Sequence, residues 1–154
     1  IEVPAAALGV RFEPAATEAI LHATEGYPYF LQEWGKHAWD VAKGSPITVA
    51  DVERAAREAV AALDESFFRV RFDRLTLAEK RYLRAMAALG PGPHRSGDIA
   101  DTLGRKVTAM GPIRAQLIDK GMVWSPNHGD TAFTVPMFDA YLRRILPGED
   151  WREA

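Results

Sequence analysis

Residues 114–123 read RAQLIDKGMV. Leu117 and Ile118 close a helical apolar pattern, Gly121 stops it, and Met122-Val123 opens an alternating run with no loop between. A glycine just past the last periodic residue can take the left-handed conformation that ends a helix. The apolar period therefore changes from about 3.6 to 2 across one residue.

The flanking segments extend this pattern. Upstream, Ser96 is placed to cap a short helix carrying Ile99, Ala100 and Leu103, stopped by Gly104. The next helix carries Met110, Ile113, Leu117 and Ile118. Before both, Thr76-Leu77-Ala78-Glu79 has the form of a capping box. The helix behind it buries Tyr82, Leu83, Met86 and Ala87, and a Gly/Pro loop at 90–93 ends it. Downstream, Met122–Ser125 and Ala132–Val135 alternate around Asn127-His128-Gly129-Asp130, which signals a hairpin. Phe138–Leu142 opens a closing helix. A helix, a short helix, and a longer helix running straight into a hairpin is the order of a winged helix-turn-helix, expected over 75–146.

The first half is helical throughout. Pro4–Leu8 is a short Ala-rich helix closed by Gly9, and Pro14 suits the first turn of the next, where a missing N–H costs nothing. Ala16, Ile20 and Ala23 mark the apolar face of that helix. After Gly26, Pro28 starts a helix with Phe30, Leu31, Trp34, Ala38, Val41 and Ala42 at helical spacing. Thr48 and Asp51 suggest a second capping box, followed by the stripe Val49, Val52, Ala56, Ala59, Val60 and Leu63. The expected organisation is mainly α: a small helical bundle over 1–66, an aromatic-basic linker over 67–74, the winged helix over 75–146, and a tail over 147–154.

Charge divides along the same line. Residues 1–73 carry 7 Lys/Arg against 12 Asp/Glu, whereas residues 74–146 carry 11 against 6, although the whole chain has a net charge of only −2. Two modules with different partners are expected. The absence of cysteine excludes disulfides and thiolate metal sites. No apolar run reaches membrane-spanning length and no signal-peptide pattern opens the sequence, so a cytoplasmic protein with no membrane partner is expected. The opening at Ile1, in what already reads as mid-domain sequence, suggests a piece of a longer protein.

A helical module with the turn Thr24-Glu25-Gly26-Tyr27-Pro28-Tyr29-Phe30-Leu31-Gln32, followed by Ser96-Gly97-Asp98-Ile99-Ala100, Arg114–Gly121 and Phe133-Thr134-Val135-Pro136, resembles the C-terminal part of a P-loop ATPase. The group is the AAA+-related signal-transduction (STAND) ATPases, including archaeal-type and origin-recognition-like relatives. The resemblance covers residues 14–146, and the order of the two modules carries it. It implies a lid-like module in which Gly26, Tyr27 and Pro28 lie near the adenine of ATP or ADP, with nucleotide and Mg²⁺ held mainly by a preceding core domain. Tyr29 to Gly35 holds no basic residue, unlike the lid helix of the broader AAA+ group, where an arginine faces the phosphates.

The chain itself carries no G-x-x-x-x-G-K-[ST], and the loop from Gly90 to Gly97 follows a helix and contains two prolines, which suits a linker better than a phosphate cradle. His22, His37, His94 and His128 show no metal-ligand spacing. Turnover of ATP is therefore expected of a parent chain and not of these residues. The partners expected are DNA, the ATPase core of the same protein, or another protein. Candidate DNA contacts are Arg95 and Ser96 at the short helix, Arg105, Lys106 and Thr108 before the third helix, Arg114 on it, and His128 in the wing. Ala109-Met110-Gly111-Pro112 offers few hydrogen-bonding side chains for base edges, so backbone contact with weak sequence preference is expected. The alternative is a stand-alone winged-helix transcription regulator whose helical module senses a ligand or dimerises.

Overall fold

A computed structural model describes residues 1–152. The chain is mainly helical with a small three-stranded antiparallel sheet, and it divides into two compact units, Ile1–Val70 and a second beginning at Arg71. No described helix is long and apolar enough to cross a membrane.

The first unit is built from α1 (Glu2–Ala7), α2 (Pro14–Thr24), α3 (Pro28–Val41) and α4 (Val49–Leu63). Pro14 and Pro28 stand at the first positions of α2 and α3, as expected. Both halves of the Thr48/Asp51 capping box form: the Asp51 N–H donates to the Thr48 hydroxyl, and the Thr48 N–H donates to the Asp51 carboxylate at 2.8 Å. The core of this unit is Ala16, Ile20, Phe30, Trp34, Ala38, Val52, Ala55, Ala59 and Leu63. The α4 stripe thus runs through Ala55, whereas the expected Val49, Ala56 and Val60 are only half-buried. Alternative stripes one residue apart are hard to separate in an alanine-rich helix, because alanine tolerates either face.

The stretch expected as a linker, from 67 onward, is helical as far as Phe72. Asp64–Phe68 continues α4 as one wide π-helical turn, and Arg69–Phe72 forms the short α5. The extra residue in such a turn rotates the side chains that follow. Phe67 and Phe68, adjacent in sequence, are both buried. Phe68 lies 5.4 Å from Phe30 and Phe67 lies 5.0 Å from it, both edge-on, the geometry that ring quadrupoles prefer.

The second unit contains α6 (Leu77–Leu89), β1 (His94–Arg95), α7 (Ser96–Thr102), α8 (Val107–Asp119), β2 (Val123–Trp124), β3 (Asp130–Phe133) and α9 (Phe138–Ile145). Thr76 and Glu79 form the expected capping box at α6. Tyr82, Leu83, Met86, Ile99, Leu117, Phe138 and Leu142 make the apolar centre. The sheet order is β1-β3-β2, with Val123 opposite Phe133 and Trp124 opposite Ala132 in the hairpin. The hairpin and the closing helix form, with the second strand at Asp130–Phe133, two residues before the expected Ala132–Val135.

Several details differ from expectation. β1 pairs His94 with Thr131 and Arg95 with Asp130, on a stretch that reads as the end of a loop, because two residues are too few to display a period. Ser96 is the first residue of α7 and makes no capping bond. Thr108 lies inside the first turn of α8 rather than before it. Ile118 is exposed, and Ile113 is half-buried. The expected tail is also partly structured: Asp150–Arg152 forms a short 3₁₀ turn, and Trp151 is buried.

Candidate functional site

Two surfaces carry the residues singled out in the sequence. In the first unit, α2 ends on Glu25 and Gly26, both with left-handed backbone (φ 50° and 71°). Glycine takes that conformation freely, whereas a side chain at 26 would be strained even though the space around it is open. Tyr27 turns back into the unit, its ring 4.6 Å from Phe30 and 5.9 Å from Phe67. Tyr29 stacks on Phe67 at 5.2 Å and stays 43% exposed. What the turn presents to solvent is the Pro28 ring, the open side of Gly26 and the Tyr29 edge. These groups can lie flat against an apolar ring such as a base, and none of them is a cation that could hold a phosphate.

In the second unit, Arg95, Arg105, Lys106, Thr108 and His128 are exposed, as a contact surface requires. Arg105 and Lys106 stand at the start of α8, where unpaired N–H groups and the helix dipole favour anions. The other two expected contacts are engaged inside the unit. The Arg114 guanidinium donates from Nε to the Thr131 hydroxyl at 2.7 Å and from Nη2 to the Asp130 carbonyl at 2.9 Å. Ser96 gives both its N–H (3.0 Å) and its hydroxyl (3.1 Å) to the Gly129 carbonyl. A fork of planar donors suits such double contacts, and a basic residue on a helix gives no sign in sequence of whether it faces solvent or a neighbouring strand.

Three buried polar groups of this unit have partners that sequence reasoning did not foresee, although the burial of Tyr82 was expected. Glu79 is 1% exposed, and its carboxylate accepts from the Thr76 N–H and from the Lys120 ammonium, both at 2.7 Å. Burial raises its pKa, but the hydrogen bonds from Lys120 and Thr76 outweigh this and hold it below the usual glutamate range. Arg84, also buried, donates to the carbonyls of Leu146 (2.8 Å) and Gly148 (3.4 Å) and lies 5.0 Å from the Trp151 ring. Burial lowers its pKa below that of a free arginine. The Tyr82 phenol, fully buried, faces Thr131 and Arg114, and burial raises its pKa. Only the Thr-x-x-Glu spacing around Glu79 was visible beforehand, and it pointed to a cap and not to Lys120.

No group of three or more His, Cys, Asp or Glu that could hold a metal ion occurs among the described residues. His94 sits against the Gly90 carbonyl at 3.0 Å, and His37 lies near Glu33 and Glu58 at 3.7 and 3.9 Å.

No curated protein and no solved structure matches the chain. A family model does, from Glu65 in the wide turn after α4 to Leu142 on α9. Residues 65–142, about half of the chain, match a domain of unknown function (DUF8462), and the chain belongs to that family.

Proposed function

We propose that the chain is the C-terminal regulatory part of an AAA+-related, STAND-type ATPase, in which a lid-like helical module precedes a winged helix that meets DNA or a protein partner. The observation that carries this is the order of elements: α6, α7 and α8, then a hairpin entered directly through Gly121, all following a helical unit with a Gly-Tyr-Pro turn. The short β1 pairing with β3 also suits a winged helix, since it closes the sheet beside the second helix. On this reading ATP or ADP with Mg²⁺ belongs to a core domain, and Gly26 and Pro28, with the Tyr29 edge, contribute an apolar contact near the base while Tyr27 stands behind them.

For the second unit we propose weak, phosphate-directed duplex binding through Arg95, Arg105, Lys106, Thr108 and His128. In the first turns of α8, exposed Ala109, Gly111 and Pro112 have no side chain that reads a base edge, and Thr108 offers a single hydroxyl. Titrating a labelled duplex at two salt concentrations tests this. The expected result is weak binding that falls steeply with salt and changes little with sequence. Salt-resistant, sequence-selective binding would mean that α8 reads bases after all. Absence of binding at low salt would favour a protein partner, a second reading supported by exposed Trp124 (52%) and Val107 (49%) in the same unit.

A further inference from the structure

We infer that Arg114 and Ser96 are positioning residues, which fasten the hairpin turn to α8 and α7 so that a double-stranded nucleic acid meets a preformed face. The inference rests on the duplex-binding reading above. Arg114 reaches β3 from α8, with one nitrogen on the Thr131 hydroxyl at 2.7 Å and another on the Asp130 carbonyl at 2.9 Å. From the other side, Ser96 at the start of α7 holds the Gly129 carbonyl with two donors at 3.0 and 3.1 Å. Three consecutive residues at the end of the turn, Gly129, Asp130 and Thr131, are thereby tied to two different helices.

The turn has further links. The Ser125 hydroxyl donates to the carbonyls of Asn127 (2.8 Å) and Asp130 (3.1 Å), and the Asn127 amide reaches the Asp130 carboxylate at 3.3 Å. Those bonds are local and would survive if the hairpin swung as a body. The bonds from Arg114 and Ser96 are the ones that set where it points, and β1 adds its pairing beside them. Thr131 is fully buried beside the Tyr82 phenol, so the Arg114 fork closes on a site with little room for water. Exposed His128 lies within the tethered loop, and exposed Arg105 and Lys106 at the start of α8, so the spacing of these groups depends on the fastening. A phosphate-tracking face gains from fixed spacing because the entropy of ordering a mobile hairpin need not be lost on binding.

Lysine keeps the charge of Arg114 but lacks the planar fork, so it cannot hold Thr131 and Asp130 together. The test uses the chain as described, with Arg114→Lys, Arg114→Ala and Thr131→Val, the last removing the acceptor while leaving Arg114 in place. Amide exchange across 125–131 and affinity for a mixed-sequence duplex at several salt concentrations are read below the melting range. We expect faster exchange at 125–131 in all three variants and a loss of about tenfold in affinity for Arg114→Lys, with an unchanged salt slope for Thr131→Val. A fold-stabilising role alone would move the melt but leave affinity of the folded variants unchanged. Arg114→Lys binding like wild type, with the salt slope reduced by about 0.9 in Arg114→Ala, would make Arg114 a phosphate contact and overturn the inference. Unchanged exchange in the hairpin would overturn it as well. If wild type binds no duplex, the duplex reading fails, and faster hairpin exchange in the variants would still establish the fastening.

Discussion

The starts of α4 and α6 use the same four-residue device to different ends. At both, a threonine caps the helix and an acid three residues later returns a bond to the threonine N–H. Asp51 spends its remaining capacity locally, on Arg54 one turn away. Glu79 spends it on Lys120, 41 residues along the chain. The difference extends to the units around them. The first is held by apolar stripes and a ring cluster, and its long-range side-chain bonds, Arg11 N–H to Ser45 and Thr17 to Glu2, are exposed. The second adds partly buried polar bonds between distant segments: Lys120 to Glu79, Arg84 to Leu146, Arg143 to Ala87 at 2.8 Å, Arg114 to Thr131. A helix-start signal therefore specifies a cap without saying whether the acid also ties two elements together.

The sharpest way to break this contrast is in the ring cluster. Phe68→Ala empties a fully buried site bordered by Phe30 and Phe67, and should cost about 3–5 kcal/mol of stability in a thermal or denaturant melt. A cost under about 1 kcal/mol would show that the first unit does not depend on its rings.

Next in size is the pair of acids. Glu79→Gln keeps the shape but leaves the Lys120 ammonium without its carboxylate and should cost about 2 kcal/mol, since Lys120 is partly solvated. Asp51→Asn should cost no more than about 1 kcal/mol, because Arg54 is half exposed. Both carboxyls have lowered pKa values in the folded chain. For Asp51 the causes are the Thr48 N–H, then the Thr48 hydroxyl, opposed by burial and helped by Arg54. A lowered folded pKa means stability that is complete above the unfolded value and lost as pH falls through the folded one. Acid destabilisation should thus begin below the ordinary values, 4.5 for glutamate and 3.8 for aspartate, and Glu79→Gln should flatten the higher part of that decline. Equal losses for the two variants would erase the contrast between local and long-range acids.

The caps themselves are smaller and should match. Thr48→Ala and Thr76→Ala are each expected to cost about 1 kcal/mol. A markedly larger loss at Thr76 would indicate that the cap also orients Glu79 toward Lys120. The smallest effect on stability is expected from Arg105→Ala with Lys106→Ala, within about 0.5 kcal/mol, because both side chains are exposed. The same double change should lower duplex affinity and reduce the salt slope by about 1.8 if each cation meets one phosphate. Arg114 does not belong in that variant, since its removal also frees the hairpin.

Much of the fold was legible because helix starts are chemically specific. Pro14, Pro28 and the two threonines set element boundaries within a residue, and the glycine at 121 marked the passage into the hairpin. Core stripes were legible where large residues recur, as at Tyr82, Leu83 and Met86, and less so where alanine fills both faces, as along α4. What sequence could not convey was the use of polar groups across distance. Arg114 and Ser96 have the composition of a nucleic-acid surface, and only the path of β3 and the turn before it shows that both are bonded to the hairpin. Likewise, the positive balance of residues 74–146 includes Arg84, Lys120 and Arg143, whose donors serve the interior. The Gly-Tyr-Pro turn was half legible: its position was clear, while the inward turn of Tyr27 depends on Phe67, which looked like linker.

The seat of Trp151 has an optical consequence. Four tryptophans fall two to a unit, and in each unit one is buried and the other open: Trp34 (2%) and Trp39 (36%), Trp151 (5%) and Trp124 (52%). Trp151 also donates its indole N–H to the Gly148 carbonyl at 2.9 Å, within the segment that Arg84 holds. Its emission should be blue-shifted and shielded from acrylamide, whereas that of Trp124 should be red-shifted and readily quenched. In a variant retaining Trp151 alone, Arg84→Met should release the quencher-protected signal, turning the end of the chain into a built-in gauge of its own docking. In a variant retaining Trp124 alone, the colour and quenching of the hairpin would report directly on whatever partner covers it.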